Sequence, residues 1–147
     1  LREGIMDNQG RIRFHGERCI WCRSCELICS LYRERECNPM LSRIRILLDI
    51  FEAEAQVSVC RQCDDPACLK ACPVGAIRVD DRTGAYILSE DACTACGLCA
   101  EACPYNSERK ILFYNPAKNA YAKCDLCLGQ VQCVQICPSK ALEYTSK

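Results

Sequence analysis

The residues most able to do chemistry are thiols. Sixteen of the seventeen cysteines in the 147-residue chain fall into four groups of four: Cys19-Cys22-Cys25-Cys29, Cys60-Cys63-Cys68-Cys72, Cys93-Cys96-Cys99-Cys103 and Cys124-Cys127-Cys133-Cys137. Each is close to C-x2-C-x(2–5)-C-x3-C, and the third, CTACGLCAEACP, matches C-x2-C-x2-C-x3-C-P letter for letter. Thiolates at that spacing hold [4Fe–4S] clusters. Four groups imply four clusters in one small chain, and a chain with that many redox centres and little else reads as an electron conduit.

Two other uses of cysteine are weaker. A disulfide framework does not require repeating metal-type groups, the total is odd, and no secretory signal is visible after Leu1. Dedicated thiolate ligation belongs in a reducing compartment, which points to the cytoplasm. Structural zinc prefers two separated C-x2-C pairs, often with histidine, and the single histidine, His15, lies outside every group. Groups one and three instead put three thiolates within seven residues, as three corners of one cube require.

Composition fits the same picture. Half the chain counts as hydrophobic, but that share includes the cysteines, with only one Trp and three Phe beside them. So thin a core needs metal to fold, and cluster binding becomes folding free energy. The formal net charge is zero. No basic stripe is interleaved with aromatics, so nucleic-acid binding has no support. The longest apolar stretch, 44–51, is broken by Arg45 and Asp49, so no membrane span is expected. An oxidised cluster with its four thiolates carries about −2, so four would bring the holoprotein to about −8. The polypeptide itself lacks the acidic surface that steers a diffusing carrier, which leans toward a resident subunit.

The elements that must position the thiols can be read between the groups. Ile77–Asp80 and Ala85–Leu88 flank a turn and read as a hairpin. Lys110–Tyr114 with Ala120–Lys123 reads as a second, and Ser42–Ile50 with Gln56–Cys60 as a third. Arg11–His15 and Ala141–Thr145 are expected strands. Short helices are expected at the x3 spacings, over Cys25–Arg33, Cys68–Cys72, Leu98–Cys103 and Cys133–Cys137. Groups two, three and four end in Cys-Pro, group one in Cys29-Ser30. The phrases Val74-Gly75-Ala76-Ile77 and Ser139-Lys140-Ala141-Leu142 follow two of the prolines as a repeat. The fold class is α+β, with short helices and antiparallel hairpins around metal.

These groups resemble the two-cluster bacterial ferredoxins, in which the fourth cysteine of one group ligates the partner cluster. Groups two and three are adjacent and both end in Cys-Pro, so they pair, leaving group one with group four. The implied ligand sets are Cys60, Cys63, Cys68 with Cys103; Cys93, Cys96, Cys99 with Cys72; Cys19, Cys22, Cys25 with Cys137; and Cys124, Cys127, Cys133 with Cys29. The chain then forms a single polyferredoxin unit, 1–147, of two nested ferredoxin-like modules: an inner one at 60–103 and an outer one at 11–59 plus 104–147. The alternative, group one with two and three with four, stays open. The wider gaps at Asp64-Asp65-Pro66-Ala67 and Leu128–Gln132 bulge loops without removing ligands.

The whole chain resembles the four-cluster electron-transfer subunits of molybdenum and tungsten bis-pterin enzymes and of some nickel–iron hydrogenases. The phrases Cys19-Ile20-Trp21-Cys22-Arg23-Ser24-Cys25-Glu26-Leu27-Ile28-Cys29-Ser30 and Asn38-Pro39-Met40-Leu41-Ser42-Arg43-Ile44 look like the small subunit accompanying tungsten-dependent aldehyde oxidoreductase-family enzymes and benzoyl-CoA reductase complexes. So does Lys123-Cys124-Asp125-Leu126-Cys127 with its short x5 gap. That resemblance implies a large tungsten–pterin catalytic partner, a flavin/NADH- or ferredoxin-linked redox partner, and scope for self-association. The chain is then no enzyme by itself. The runners-up are the small subunit of a molybdenum enzyme or hydrogenase, and a free polyferredoxin carrier; a structural or regulatory role would need only one cluster.

The remaining side chains read plainly. Cys37 is an inert apolar residue rather than a ligand. Trp21 and Tyr105 either shield a cluster or simply pack. His15 is a surface histidine without an acid partner, and Asp64, Asp65, Glu90 and Asp91 are turn and cap residues. Arg43, Arg45 and Arg61 either pair with a negative cluster face or with partner carboxylates or, by default, are solvated charges. No nucleophile–base pair, phosphate loop or dinucleotide motif is present. Anaerobically purified protein should contain about sixteen iron atoms per chain. Cys37→Ala should leave that count unchanged and Cys96→Ala should lose or convert a cluster; iron lost with Cys37→Ala would contradict the ligand assignment.

Overall fold

A computed structural model describes residues 10–107 and 110–146. Residues 1–9 and 147, at the ends of the expected 1–147 unit, and Glu108 and Arg109 of its expected outer part, lie outside the described residues. The strands form four two-stranded antiparallel ladders. β1 (Arg11–Phe14) pairs with β8 (Leu142–Thr145), Phe14 opposite Leu142. β2 (Ile44–Asp49) pairs with β3 (Glu54–Val59), β4 (Ile77–Val79) with β5 (Tyr86–Leu88), and β6 (Phe113–Asn115) with β7 (Ala120–Ala122). The three expected hairpins are present, and the two leftover strands find each other across the chain. Apolar inward positions decide these registers: Ile44 faces Val59, and Ile77 faces Leu88.

Four helices carry the third cysteine of each group. They are α1 (Ser24–Glu34), α2 (Ala67–Ala71), α3 (Leu98–Ala102) and α4 (Gln132–Ile136), each starting one residue before the expected start or at it. α1 packs on α4, and α2 on α3. Helices of five residues cannot persist alone. They are held because their cysteines sit in one contiguous core with Ile44, Ile77, Tyr86, Leu112, Leu126 and Leu142.

The turns between the cysteines repeat a local strain. The residue just before the second cysteine of every group has positive φ: Trp21 (60°), Gln62 (49°), Ala95 (57°) and Leu126 (56°). A second such residue precedes three of the helices, at Arg23 (56°), Gly97 (82°) and Val131 (32°). In group two that place is held by Pro66 at φ −78°, because the ring forbids the left-handed region. Left-handed backbone costs a non-glycine residue about 1–2 kcal/mol. Its recurrence at one position in four turns means that the turns are shaped around something. Gly97 has a second reason to lack a side chain, since a Cβ there would stand 3.1 Å from the Tyr121 hydroxyl.

The Cys-Pro phrases repeat as well. Gly75 (φ 63°) and Lys140 (φ 54°) occupy the same place three residues after Cys72 and Cys137. Ala76 and Ala141 follow, both buried, and each leads into its strand. The third Cys-Pro departs from this. There Asn106 is buried and its side chain ties the loop, donating to the carbonyls of Ala100 (3.1 Å) and Leu112 (3.2 Å) and accepting from the amides of Ile111 (2.9 Å) and Leu112 (2.7 Å).

Relief of one strained position should be visible. Ala95→Gly should slow iron release to a chelator, and Ala95→Val, with a β-branched side chain in left-handed backbone, should speed it by at least about fivefold, equivalent to about 1 kcal/mol. Equal release rates for the three proteins would remove the strain argument.

Candidate iron–sulfur centres

All seventeen cysteines are free thiols, so the disulfide reading has no support. Among the described residues, no three His, Cys, Asp or Glu side chains converge closely enough for a single metal ion. Tetrahedral zinc, with Zn–S near 2.3 Å, would draw its sulfurs to about 3.8 Å from one another.

The grouping is specific. One cavity is lined by Cys60, Cys63, Cys68 and Cys103, a second by Cys72, Cys93, Cys96 and Cys99, and a third by Cys19, Cys22, Cys25 and Cys137. Around the fourth group, burial pushes the Cys133 thiol up strongly, and Cys124, Cys29 and Cys127 push it further. In each of the three cavities, three cysteines of one group meet the fourth cysteine of the group whose helix packs against theirs. Cys25 and Cys124 are pushed up to about 12, and Cys99 to about 11, all chiefly by burial. Such thiols keep their protons at neutral pH, so iron must displace protons to bind them. Burial that penalises a bare thiolate is matched only when a cationic iron core shares the site.

Backbone amides supply the rest. At Cys72 burial acts upward, yet the amides of Ala76, Val74, Ile77 and Gly75 together hold the thiol below the usual range, with Ala76 N 3.2 Å from Sγ. At Cys137 burial is likewise outweighed by the Leu142 amide, the Ser139 hydroxyl and the Ala141 amide. The repeated phrase after Cys-Pro is therefore a cradle of N–H donors for sulfur. Amides of Ala95 and Tyr121 approach Cys93 Sγ (3.4 and 3.5 Å), that of Leu126 approaches Cys124 Sγ (3.5 Å), and that of Arg43 approaches Cys29 Sγ (3.3 Å). Cysteines gathered in fours with N–H donors at their sulfurs fit iron–sulfur clusters, which when bound take up and return single electrons.

Several side chains behave differently from expectation. Arg43 is buried, not solvated. It pairs with Glu34 (3.2 Å), Glu90 (3.0 Å) and Asp125 (3.6 Å) and donates to the Lys123 carbonyl (3.2 Å). Arg33 pairs with Asp125, and Lys118 bridges Glu34 (2.6 Å) and Glu90 (2.8 Å). Glu90 is thus an ion-pair member and not a cap. Burial alone would raise the Glu34 carboxyl, but Lys118 and Arg43 hold it below the usual range. His15 does have acid partners, Glu143 at 2.9 Å and Glu17 at 3.6 Å. Asp64 pairs with Arg11 (2.9 Å) and Asp65 with Lys70. Arg45 lies over Phe113 (5.2 Å to the ring centre) and donates to the Met40 carbonyl. Arg61 lies over Tyr105 at 4.0 Å, and both line the Cys60 cavity, so Tyr105 borders a centre. Trp21 is partly exposed on its strained turn. Cys37 lies exposed on the loop that leaves α1 after Arg35 turns left-handed, and it lines none of the three cavities.

Sequence reasoning missed buried polar residues next to the cysteines, among them Glu26, Gln62 and Lys123. Glu26 accepts from the Ile46 amide (2.7 Å) and pairs with Arg23 (3.3 Å). Gln62 and Lys123 are fully buried and bind the backbone at Tyr86 and Cys124. Their one signal was adjacency to cysteines; nothing in composition separates such a lysine from a solvated one.

Comparison with known proteins follows the same lines. A family model described as "4Fe-4S dicluster domain" matches residues 52–147. The polyferredoxin-like subunit of an aliphatic sulfonate oxidoreductase from Pyrococcus furiosus is 40% identical over 121 residues, 82% of this chain and 67% of that one. The B subunit of the anaerobic dimethyl sulfoxide reductase of Escherichia coli K12 is 33% identical, covering 86% of this chain and 68% of its own. Among solved structures, the BamBC active site complex of benzoyl coenzyme A reductase with 1,5-dienoyl-CoA contains a chain 25% identical, at TM-score 0.53, covering 92% of this chain and 75% of that one. Four groups of thiols, amide cradles in place of disulfides, and these relatives lead to one conclusion: the protein belongs to the 4Fe-4S dicluster domain family, as a ferredoxin-like iron–sulfur electron-transfer subunit with four [4Fe–4S] clusters.

Proposed function

We propose that this subunit relays single electrons between a large tungsten–pterin catalytic subunit of the aldehyde oxidoreductase type and an external flavin-, NADH- or ferredoxin-linked partner. The observation that carries the relay is the crossed gathering of thiols, three from one group and the fourth from the group whose helix packs against theirs. It supports the nested ligand sets: Cys19, Cys22, Cys25 with Cys137; Cys60, Cys63, Cys68 with Cys103; Cys93, Cys96, Cys99 with Cys72; and Cys124, Cys127, Cys133 with Cys29. Residues 60–103 then form the inner module and the flanking segments the outer one, with the β1–β8 ladder closing the outer module.

The likeness to the benzoyl coenzyme A reductase complex, a family whose small subunit the first cysteine phrases resemble, supports a tungsten partner. Apolar side chains left in solvent support a docked life. Phe51 at the β2–β3 tip is 92% exposed, beside an exposed Ile50. Among the described residues no helix is long and apolar enough to cross a membrane. Free thiols that must meet iron suit a reducing compartment, so we place the assembled subunit in the cytoplasm.

Two measurements test this. In anaerobic holoprotein, Cys103→Ala should perturb the same EPR signal as Cys63→Ala. Perturbing the Cys127→Ala signal would favour sequential pairing, and perturbing the Cys96→Ala signal would favour self-contained groups. The large chain that co-purifies should carry tungsten by elemental analysis; molybdenum or nickel there would transfer the assignment to those enzymes, and a clean monomer would favour a diffusing carrier.

A further inference from the structure

Lys123 follows β7 and directly precedes Cys124. It is 1% exposed. Its Nζ donates to the carbonyls of Tyr86 (2.6 Å) and Cys124 (2.8 Å) and stands 6.0 Å from the Tyr86 ring centre. Among the described residues no carboxylate forms an ion pair with it, although buried Arg43 nearby has three. A desolvated ammonium needs an anionic counterpart. Its two carbonyl partners belong to two different gatherings: Cys124 is a member of one, and Tyr86 lines the cavity shared by Cys60, Cys63, Cys68 and Cys103. Gln62, 0% exposed, ties the same two backbone segments, donating to the Cys124 carbonyl (3.1 Å) and accepting from the Tyr86 amide (2.9 Å).

The packing gives the order of the four sites. α1, which carries Cys25, packs on α4, which carries Cys133; Lys123 and Gln62 tie the Cys124 and Cys60 gatherings together; and α2, which carries Cys68, packs on α3, which carries Cys99. The sites therefore run from the Cys19 gathering through the Cys124 and Cys60 gatherings to the Cys93 gathering. Lys123 sits at the central step, where an electron must leave one module for the other.

We propose that Lys123 is a fixed positive charge shared by the two central clusters, Cys60–Cys63–Cys68–Cys103 and Cys29–Cys124–Cys127–Cys133, and that it raises both reduction potentials relative to the outer pair. The inference rests on the nested ligand sets. Reduction adds one negative charge to a cluster, and a cation in a low-dielectric junction stabilises that charged level more than the oxidised one. Without it, the two adjoining anionic sites would repel an incoming electron most strongly at the middle of the relay. Lys123 is thus a positioning residue for charge and makes no bond to the clusters.

The test is an EPR-monitored redox titration of anaerobic holoprotein with dithionite as reductant, with iron counted in each sample. In Lys123→Met two of the four midpoint potentials should fall by at least tenfold in the reduction equilibrium, 59 mV for a one-electron couple, while the other two stay. Lys123→Arg, which keeps the charge, should restore them. Gln62→Glu, which sets a carboxylate at the shared Cys124 carbonyl, should lower the same two. Unchanged potentials, or an equal fall in all four, would overturn the proposal. So would loss of clusters in both Lys123→Met and Gln62→Glu, which would make the residue purely structural. A wild-type protein with fewer than four clusters, or Cys103→Ala acting on the Cys96 signal, would instead overturn the ligand sets beneath it.

Discussion

A thiol that is buried keeps its proton, and a thiolate that is buried needs a cation. Most of this fold follows from that pair of facts. Eight of the seventeen cysteines are buried, and at Cys25, Cys99, Cys124 and Cys133 burial is the largest influence on the thiol. A core of this kind gives little hydrophobic stabilisation by ordinary standards, since sulfhydryl groups must be crowded together. Iron–sulfide cores resolve the conflict by replacing many protons with a few shared cationic centres. The helices are too short to stand alone, and the ladders are only two strands wide. The clusters are the hub on which these fragments are assembled.

The cost of that assembly is borne by the turns. Trp21, Gln62, Ala95 and Leu126 adopt left-handed backbone at one equivalent position, although none is glycine. A side chain there gives the turn a second role. Gln62 ties two segments through its amide, and Trp21 and Leu126 add apolar surface, Leu126 inside the core. The Cys-Pro phrases use the opposite device. Proline stops the helix, and the following left-handed residue swings four amides back toward sulfur at Cys72.

Much of this was legible in the chain. Thiol spacing named the metal chemistry, and the turn residues between alternating apolar runs named the hairpins, because both signals are local. The pairing of β1 with β8 was not legible, since no local pattern reports which of two distant strands meet. The polar interior was the larger gap. Arg43 reads as a surface residue until Glu34, Glu90 and Asp125 are brought to it from three separate segments. His15 lacked an acid partner in sequence because Glu143 lies 128 residues away and arrives through the β1–β8 ladder. Cys37 joins none of the gatherings, and the left-handed end of α1 leaves it exposed. Such facts belong to tertiary contact, and residue type alone does not carry them.

The formal charge of zero takes on a different meaning once the cations are located. Four loaded clusters contribute about −8, which a neutral polypeptide does not cancel by total count but can cancel by placement. Arg33, Arg43, Lys118 and Lys123 are concentrated where α1, β2, β5 and the fourth cysteine group meet. Three of them are matched by carboxylates, so their net field is small and their work is to hold the segments together. Burial of such pairs adds little stability of its own but makes the loss of one member expensive. Lys123 differs because no carboxylate among the described residues answers it, and its charge remains available to the thiolates on either side. One unmatched cation among matched ones is therefore enough to distinguish the centre of the relay from its ends.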